Sequence, residues 1–230
     1  MKLHTLLIFT LSLTASANAQ SAILDRVVAV VNHRVITQSD WAEEEAFETL
    51  SAGRPAAAPS YDPAVLQRLI DQSLVTDQIE ANQGIGAADD DVSAQIATVR
   101  QQVAPSKDDA AWRAMLISYG LDEADFADRV RRQLNVMRFV ELRFRPGILV
   151  KPEEIAGYYR DVLLPDLRKA GTPEDKLPPI SEVEDKIREV LSERRITEML
   201  NAWLEALREQ SQIKMLVGPS REQTRATKAK

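Results

Sequence analysis

Few side chains in this chain of 230 residues are suited to chemistry. The sequence has no cysteine and two histidines, His4 and His33. The lack of cysteine excludes disulfides, thiolate nucleophiles, iron–sulfur clusters and zinc sites with cysteine ligands. A catalytic triad or a multi-histidine metal site would depend on the imidazole of His33, because we expect the segment carrying His4 to be removed. The composition therefore argues against a metalloenzyme and against a nucleophilic enzyme.

Three acidic runs are the other clusters that could supply acids, bases or metal ligands, at residues 43–45, 89–91 and 153–154. Each lies at a predicted helix start or on a polar helix face, where the helix dipole and solvation account for it. The run at 89–91 lacks the glycine and the final glutamate of a calcium loop. The sequence also lacks a glycine-rich phosphate loop. We therefore predict no catalytic residue, no metal site and no cofactor.

Short β-branched runs near both ends of the chain predict one small antiparallel sheet. Residues 27–31 and 35–37 flank Asn32 and His33, which suit a two-residue hairpin turn because asparagine tolerates positive φ. At the tip of this hairpin, His33 is interpreted as a solvated turn residue rather than a base. Residues 212–217 are the other strand-like run. A hairpin alone is marginally stable, so we expect this third strand to pair with it.

Apolar residues at helical spacing predict helices through most of the chain between these strands. Polar caps, prolines and glycines mark the ends, with Ser39 and Asp62 as predicted caps, Gly84 as a stop and a capping box beginning at Ser181. The connections lack this spacing and lie at residues 51–60 and 165–179. The predicted helices span residues 40–50, 62–84, 89–103, about 106–120, 122–144, 151–159 and 181–210. The fold class is therefore mainly α with a small sheet.

The two longest predicted helices carry distinctive apolar patterns. The last helix has two nearly opposite apolar faces and therefore needs two packing partners. The helix from Asp122 has one stripe, which consists of Phe126, Val130, Leu134, Met137, Val140 and Phe144.

Several apolar or aromatic side chains lie away from these stripes or near predicted helix ends. Packing against a neighbouring helix is the simpler interpretation of each. The alternative is that some of them line a groove for apolar or aromatic peptide segments. The candidate peptide-binding residues are Phe47, Phe139, Leu142, Tyr158 and Tyr159.

The first residues have the pattern of a secretory signal peptide. Lys2 precedes an apolar run at residues 6–13, and small side chains at Ala17 and Ala19 predict cleavage after Ala19. No later segment approaches the ~20 apolar residues of a membrane span. A formal net charge of −6 disfavours binding to nucleic acid. The predicted domains are a signal peptide at 1–19, a core at 20–217 and a disordered basic tail at 218–230.

The order of several motifs resembles one protein family, the SurA-type periplasmic chaperones. The hairpin segment LDRVVAVVNHRVITQSD at residues 24–40 is the most specific, and the helical motifs are weak individually. The others are LQRLIDQSL at 66–74, YGLDEADF at 119–126, RRQL at 131–134, WLEALR at 203–208 and IKML at 213–216. The resemblance covers almost the whole chain after the signal peptide.

This resemblance implies a helical core closed by strands from both chain ends. It also implies an ATP-independent periplasmic holdase for unfolded polypeptides, with outer-membrane proteins as partners. Many members carry parvulin prolyl isomerase domains where this chain has only residues 160–180, which include no histidine. We therefore predict a short connection there and no isomerase activity. Isomerase activity by family membership and an assembly protein with one fixed partner remain alternatives.

Overall fold

The computed structural model describes residues 25–82, 86–104 and 108–216. The predicted signal peptide, the helix stop at Gly84 and the basic tail lie outside these residues. The described part falls within the predicted core at 20–217, and the division into domains stays a prediction. The fold class is confirmed as mainly helical with one small antiparallel sheet.

The elements follow the predicted order along the chain. The strands are β1 (Val27–Val31), β2 (Arg34–Thr37) and β3 (Ile213–Met215). The helices are α1 (Gln38–Ser51), α2 (Pro63–Ala81), α3 (Asp89–Val103), α4 (Asp109–Ser118), α5 (Glu123–Phe144), α6 (Pro152–Tyr158), α7 (Leu164–Lys169) and α8 (Ile180–Gln210).

Strands from both ends of the chain form the sheet, as predicted, with the order β2-β1-β3. Asn32 takes a positive φ of 53° in the turn between β1 and β2. Its backbone N–H donates to the carbonyl of Gln212 at 2.8 Å, and its side-chain oxygen accepts from the N–H of Gln212 at 3.0 Å. The turn residue therefore also fastens the start of β3.

The starts of α1 and α8 differ from the predictions. Thr37, not Ser39, caps α1: its hydroxyl accepts from the N–H of Asp40, whose carboxylate accepts from the N–H of Thr37 in return. Helix α8 begins at Ile180 after Pro179, one residue before the predicted capping box. The prediction for α2 is confirmed, because the Asp62 carboxylate accepts from the N–H of Ala64 and proline follows at the first helical position.

Two apolar clusters share helix α1. Trp41, at the start of α1, packs with the sheet and with α2. Phe47 and Leu50, further along the same helix, pack among α3, α4 and the first half of α5. Helix α2 contributes to a further cluster, because Val75 contacts the residues of α5 and α8 rather than the sheet, as expected for a helix that is apolar on more than one side.

Helix α8 packs against α6, α5 and α2, which confirms the prediction that its two faces need separate partners. Ile187 is buried in its first half, whereas Ile196 and Leu204 pack against the second half of α5. Among the described residues, no helix is both long enough and apolar enough to cross a bilayer.

The connection predicted at residues 165–179 is helical in its first part. Helix α6 continues through a π-helical turn at Tyr159–Leu163 into α7, which ends at Lys169. Pro165 lies at the start of α7, directly after the π-helical turn. Residues 160–169 form a short segment with several charges and Pro165, so their apolar residues show no clear helical spacing. For this reason the segment was predicted to be a connection and not a helix.

Candidate functional site

Two of the five candidate peptide-binding residues lie in the interior. Phe47 is 7% exposed, and its ring centroid lies 5.3 Å from that of Phe126. Phe139 is 3% exposed and stacks on Trp203 with 5.6 Å between the ring centroids. Packing against neighbouring helices, the simpler of the two interpretations, accounts for both rings.

The buried face of α5 changes along the helix. Met137 belongs to the predicted stripe but is 56% exposed, whereas Phe139 lies off the stripe and is buried. The first half of α5 packs with the residues of α1, α3 and α4, and its second half packs against α8. A single straight stripe does not describe a helix whose two halves have different partners, so the prediction for Met137 was wrong.

The adjacent tyrosines are both half-buried at the end of α6. The hydroxyl of Tyr159 donates to the carbonyl of Pro178 at 2.8 Å, so this side chain secures the segment before α8. The guanidinium of Arg194 lies 5.8 Å from the ring centroid of Tyr158. Both residues remain partly accessible, and Tyr158 lies beside α8.

Exposed apolar side chains occur on the second half of α5, on the connection that follows it and in the middle of α8. Leu142 on α5 is 64% exposed, and Leu149, which follows α5 after a short 3-10 turn, is 73% exposed. Val190 on α8 is also exposed. We call Leu142, Leu149, Tyr158 and Val190 the α5–α8 surface.

One arginine at the end of α5 holds two of these segments together. Arg145 lies three residues after Leu142 and contacts the carboxylates of Glu189 and Glu193 on α8. These two glutamates flank Val190 along the helix. Leu142 and Val190 are therefore presented by two helices whose separation is fixed by ion pairs.

The other two segments are fixed to α8 in a similar way. Arg195 donates to the backbone carbonyl of Leu149 at 2.9 Å and pairs with Glu154 of α6 at 2.8 Å. Arg194, its neighbour, lies against Tyr158. The backbone around Leu149 is thus anchored although its side chain is exposed.

A concave surface of about 480 Å³ lies between the hairpin, α2 and α5. We call it the hairpin groove. One wall is formed by residues 33–36 and Asp40, another by Leu69, Gln72, Ser73 and Thr76 of α2, and a third by Arg129 and Arg132 of α5. None of the sequence motifs described above predicted this groove.

An ion-pair cluster at the end of the groove holds the hairpin tip on α2. Arg34 pairs with Asp77 at 2.7 Å and with Glu80 at 2.5 Å, and the side chain of Asn32 also donates to Asp77 at 2.8 Å. Burial raises the pKa of the Asp77 carboxyl, but the hydrogen bonds from Asn32 and Arg34 outweigh it and leave the pKa below its usual value.

The same cluster includes the solvated turn residue His33. Potential ligand atoms of His33, Asp77 and Glu80 lie within 4.8 Å of one another, the spacing of a metal site. However, Arg34 pairs with both carboxylates. A metal ion would have to replace this guanidinium. The arrangement is therefore best described as a structural ion-pair cluster.

A buried ion pair joins α1 to α5 beneath the groove. Arg129 is 5% exposed and donates to Glu44, which is 7% exposed, at 2.6 Å. It also donates to the more exposed Glu43 at 2.6 Å, while its Nε is buried without a hydrogen-bond partner among the described residues. Part of the acidic run at 43–45 thus has a structural role.

Comparisons with known proteins agree with the family resemblance. Residues 3–140 match the SurA-like N-terminal domain family. The chain is 32% identical over 152 residues to a protein named Chaperone SurA from Pseudomonas fluorescens, and the aligned part covers 64% of this chain and 34% of the relative.

Proteins of the same name in two other bacteria give similar values. The identity is 30% over 150 residues for Pseudomonas aeruginosa, covering 64% of this chain and 35% of the relative. It is 32% over 149 residues for Cupriavidus pinatubonensis, covering 63% and 29%. The chain thus matches about a third of the length of these relatives.

Proposed function

Because the chain belongs to the SurA-like N-terminal domain family, we propose that it is a chaperone that binds unfolded polypeptides without ATP. The relatives are named as chaperones, and this chain spans only about a third of their length. The observation that carries the proposal is the α5–α8 surface, where apolar side chains are exposed to water on helices that ion pairs hold together.

The proposed mechanism is weak, reversible contact between this surface and apolar client segments. Fully burying a leucine or valine side chain contributes about 1.5–3 kcal/mol, and ordering the client costs part of this gain. A few such contacts delay aggregation of the client and still allow its release. Fixing the helices through Arg145 and Arg195 lowers the ordering cost on the chaperone side.

We further propose that the protein acts in the periplasm on outer-membrane proteins. The signal-peptide pattern of the first residues and the resemblance to periplasmic chaperones support this location. We propose no isomerase activity, because residues 160–180 are too few for a parvulin domain and include no histidine. A proline-limited refolding assay tests this point, and clear acceleration of refolding would contradict it.

Light scattering of an unfolded outer-membrane protein after dilution from urea tests the holdase function. We expect the purified chain to suppress scattering at a few-fold molar excess. The variant Leu142→Glu should suppress it less, because a carboxylate replaces an apolar contact on the α5–α8 surface. Met137→Glu is the matched control, since Met137 is similarly exposed on another side of the same helix.

Two results would contradict the proposal. One is undiminished scattering with the wild-type chain at high molar excess. The other is equal loss of suppression in both glutamate variants, which would show that the α5–α8 surface is not used.

A pull-down from the envelope fraction separates a general chaperone from an assembly factor, because many weak clients are expected for the first and one tight complex for the second.

A further inference from the structure

We propose that the hairpin groove binds an extended client segment that carries an acidic side chain, through strand pairing at Val35 and an ion pair with Arg132. The inference rests on the proposed chaperone function and specifies the chemistry of one class of client segment. It concerns a surface distinct from the α5–α8 surface. Two features of the groove support this binding: backbone groups of β2 that face away from the sheet, and the charges that line the groove.

Hydrogen bonds in the sheet show which backbone groups of β1 face β3. The N–H of Asn32 donates to the carbonyl of Gln212, and the carbonyl of Val28 accepts from the N–H of Leu216. Backbone groups alternate in direction along a strand, so Val30, midway between Val28 and Asn32, also directs its N–H and C=O toward β3. Val30 therefore makes no backbone hydrogen bond to β2.

The residue of β2 opposite Val30 is Val35. Its N–H and C=O consequently point away from the sheet, along the edge that lines the groove. This free edge is short, because the N–H of Thr37 is occupied by Asp40. A client strand can thus form one pair of backbone hydrogen bonds with Val35, in the mode of strand addition to a sheet edge.

Such pairing fixes where the neighbouring client side chains point. Arg34 and Ile36 lie on the face of β2 that is directed at α2, since Arg34 reaches Asp77 and Ile36 is buried with the residues of α2. Side chains alternate between faces, so client residues on either side of the one paired with Val35 point toward the same helical wall. Gln72 lies on that wall, and Arg132 lies on the adjoining wall formed by α5.

Among the charged side chains that line the groove, Arg132 is the cation left without a partner. Arg34 is paired with two carboxylates and Arg129 with two others. The carboxylate of Asp40 is used by the cap of α1. Within residues 25–82, 86–104 and 108–216, the guanidinium of Arg132 has no ion pair or hydrogen bond, and the side-chain amide of Gln72 has no hydrogen bond. A carboxylate is the client group that complements this wall.

Fluorescence anisotropy with two labelled nine-residue peptides tests the inference on the full chain. Both peptides alternate threonine and valine and have blocked ends; one carries glutamate on both sides of the central residue, and the other carries glutamine. We expect the glutamate peptide to bind roughly fivefold tighter, the upper range for an accessible ion pair. The variant Arg132→Gln should remove this preference.

Arg131→Gln is the matched control, because Arg131 is paired with Asp89 and does not line the groove. It should keep the preference for glutamate. The backbone contact is tested by a glutamate peptide that is N-methylated at its central residue, which should bind wild type at least fivefold more weakly. Unchanged binding of that peptide, or a glutamate preference that survives in Arg132→Gln, would overturn the inference.

The light-scattering assay separates this inference from the proposed function. Suppression of scattering together with equal binding of the glutamate and glutamine peptides would refute the groove alone. A clear glutamate preference without suppression of scattering would refute the holdase function and leave the groove as a peptide site.

Discussion

Replacing Arg129 by methionine should strongly destabilise the fold. The substitution keeps the length of the apolar stem and removes the guanidinium that pairs with Glu44. Glu44 is left as an unpaired, buried carboxylate, whereas Glu43 is exposed enough to regain water. Removal of one partner of a buried ion pair costs about 3–5 kcal/mol. This is a large part of the 5–15 kcal/mol by which typical domains are stable.

Urea unfolding followed by circular dichroism measures the loss of unfolding free energy. Arg131→Met is the control, because Arg131 on the same helix pairs with the exposed Asp89 and should lose less than about 1 kcal/mol. Adding Glu44→Leu to Arg129→Met should recover most of the stability, since no buried charge then remains. If Arg129→Met costs no more than its control, or if the second substitution recovers nothing, Glu44 is not desolvated as the structure implies.

Other predictions concern single contacts. Asp62→Ala should lower the unfolding free energy by about 1 kcal/mol in urea titrations, because it removes the cap of α2. Asp62→Asn should change it little, because asparagine caps a helix as well as aspartate does. Equal losses in the two variants would argue against the cap. Phe139→Ala should cost about 3–5 kcal/mol in the same assay, and Leu142→Ala less than about 0.5 kcal/mol, since only Phe139 is buried. The pKa of Asp77 is lowered in the folded state, so its ionised carboxylate stabilises the fold above about pH 4. This contribution is lost as the carboxylate is protonated at lower pH. Asp77→Asn should therefore show a shallower loss of stability with acid than wild type, and an unchanged acid slope would exclude this contribution.

Local signals were sufficient to predict most of the fold. The β-branched runs around Asn32, the cap at Asp62 and the apolar spacing within each helix indicated elements close to those observed. Even the pairing of the third strand followed from the instability of an isolated hairpin. The error at the start of α1 came from treating Ser39 as the cap, although Thr37 and Asp40 have the capping-box spacing.

The candidate site was harder to predict, because exposure depends on tertiary partners. Apolar spacing alone does not show that α5 changes partners midway, so the predicted stripe included the exposed Met137 and left out the buried Phe139. Leu149 follows a proline and a glycine in a connection and belongs to no periodic face. The hairpin groove depends on three segments that are distant in sequence, and only the arginines of α5 are a partial signal for it.

The position of β1 between β2 and β3 has a consequence for how the chain acquires its structure. Asn32 and Gln212 are 180 residues apart in sequence, so β3 is synthesised long after the hairpin. Until then the β3-facing edge of β1 is open, and such an edge invites pairing with other chains. A protein proposed to protect others from aggregation is thus itself vulnerable during its own biogenesis, until almost its last described residues have emerged.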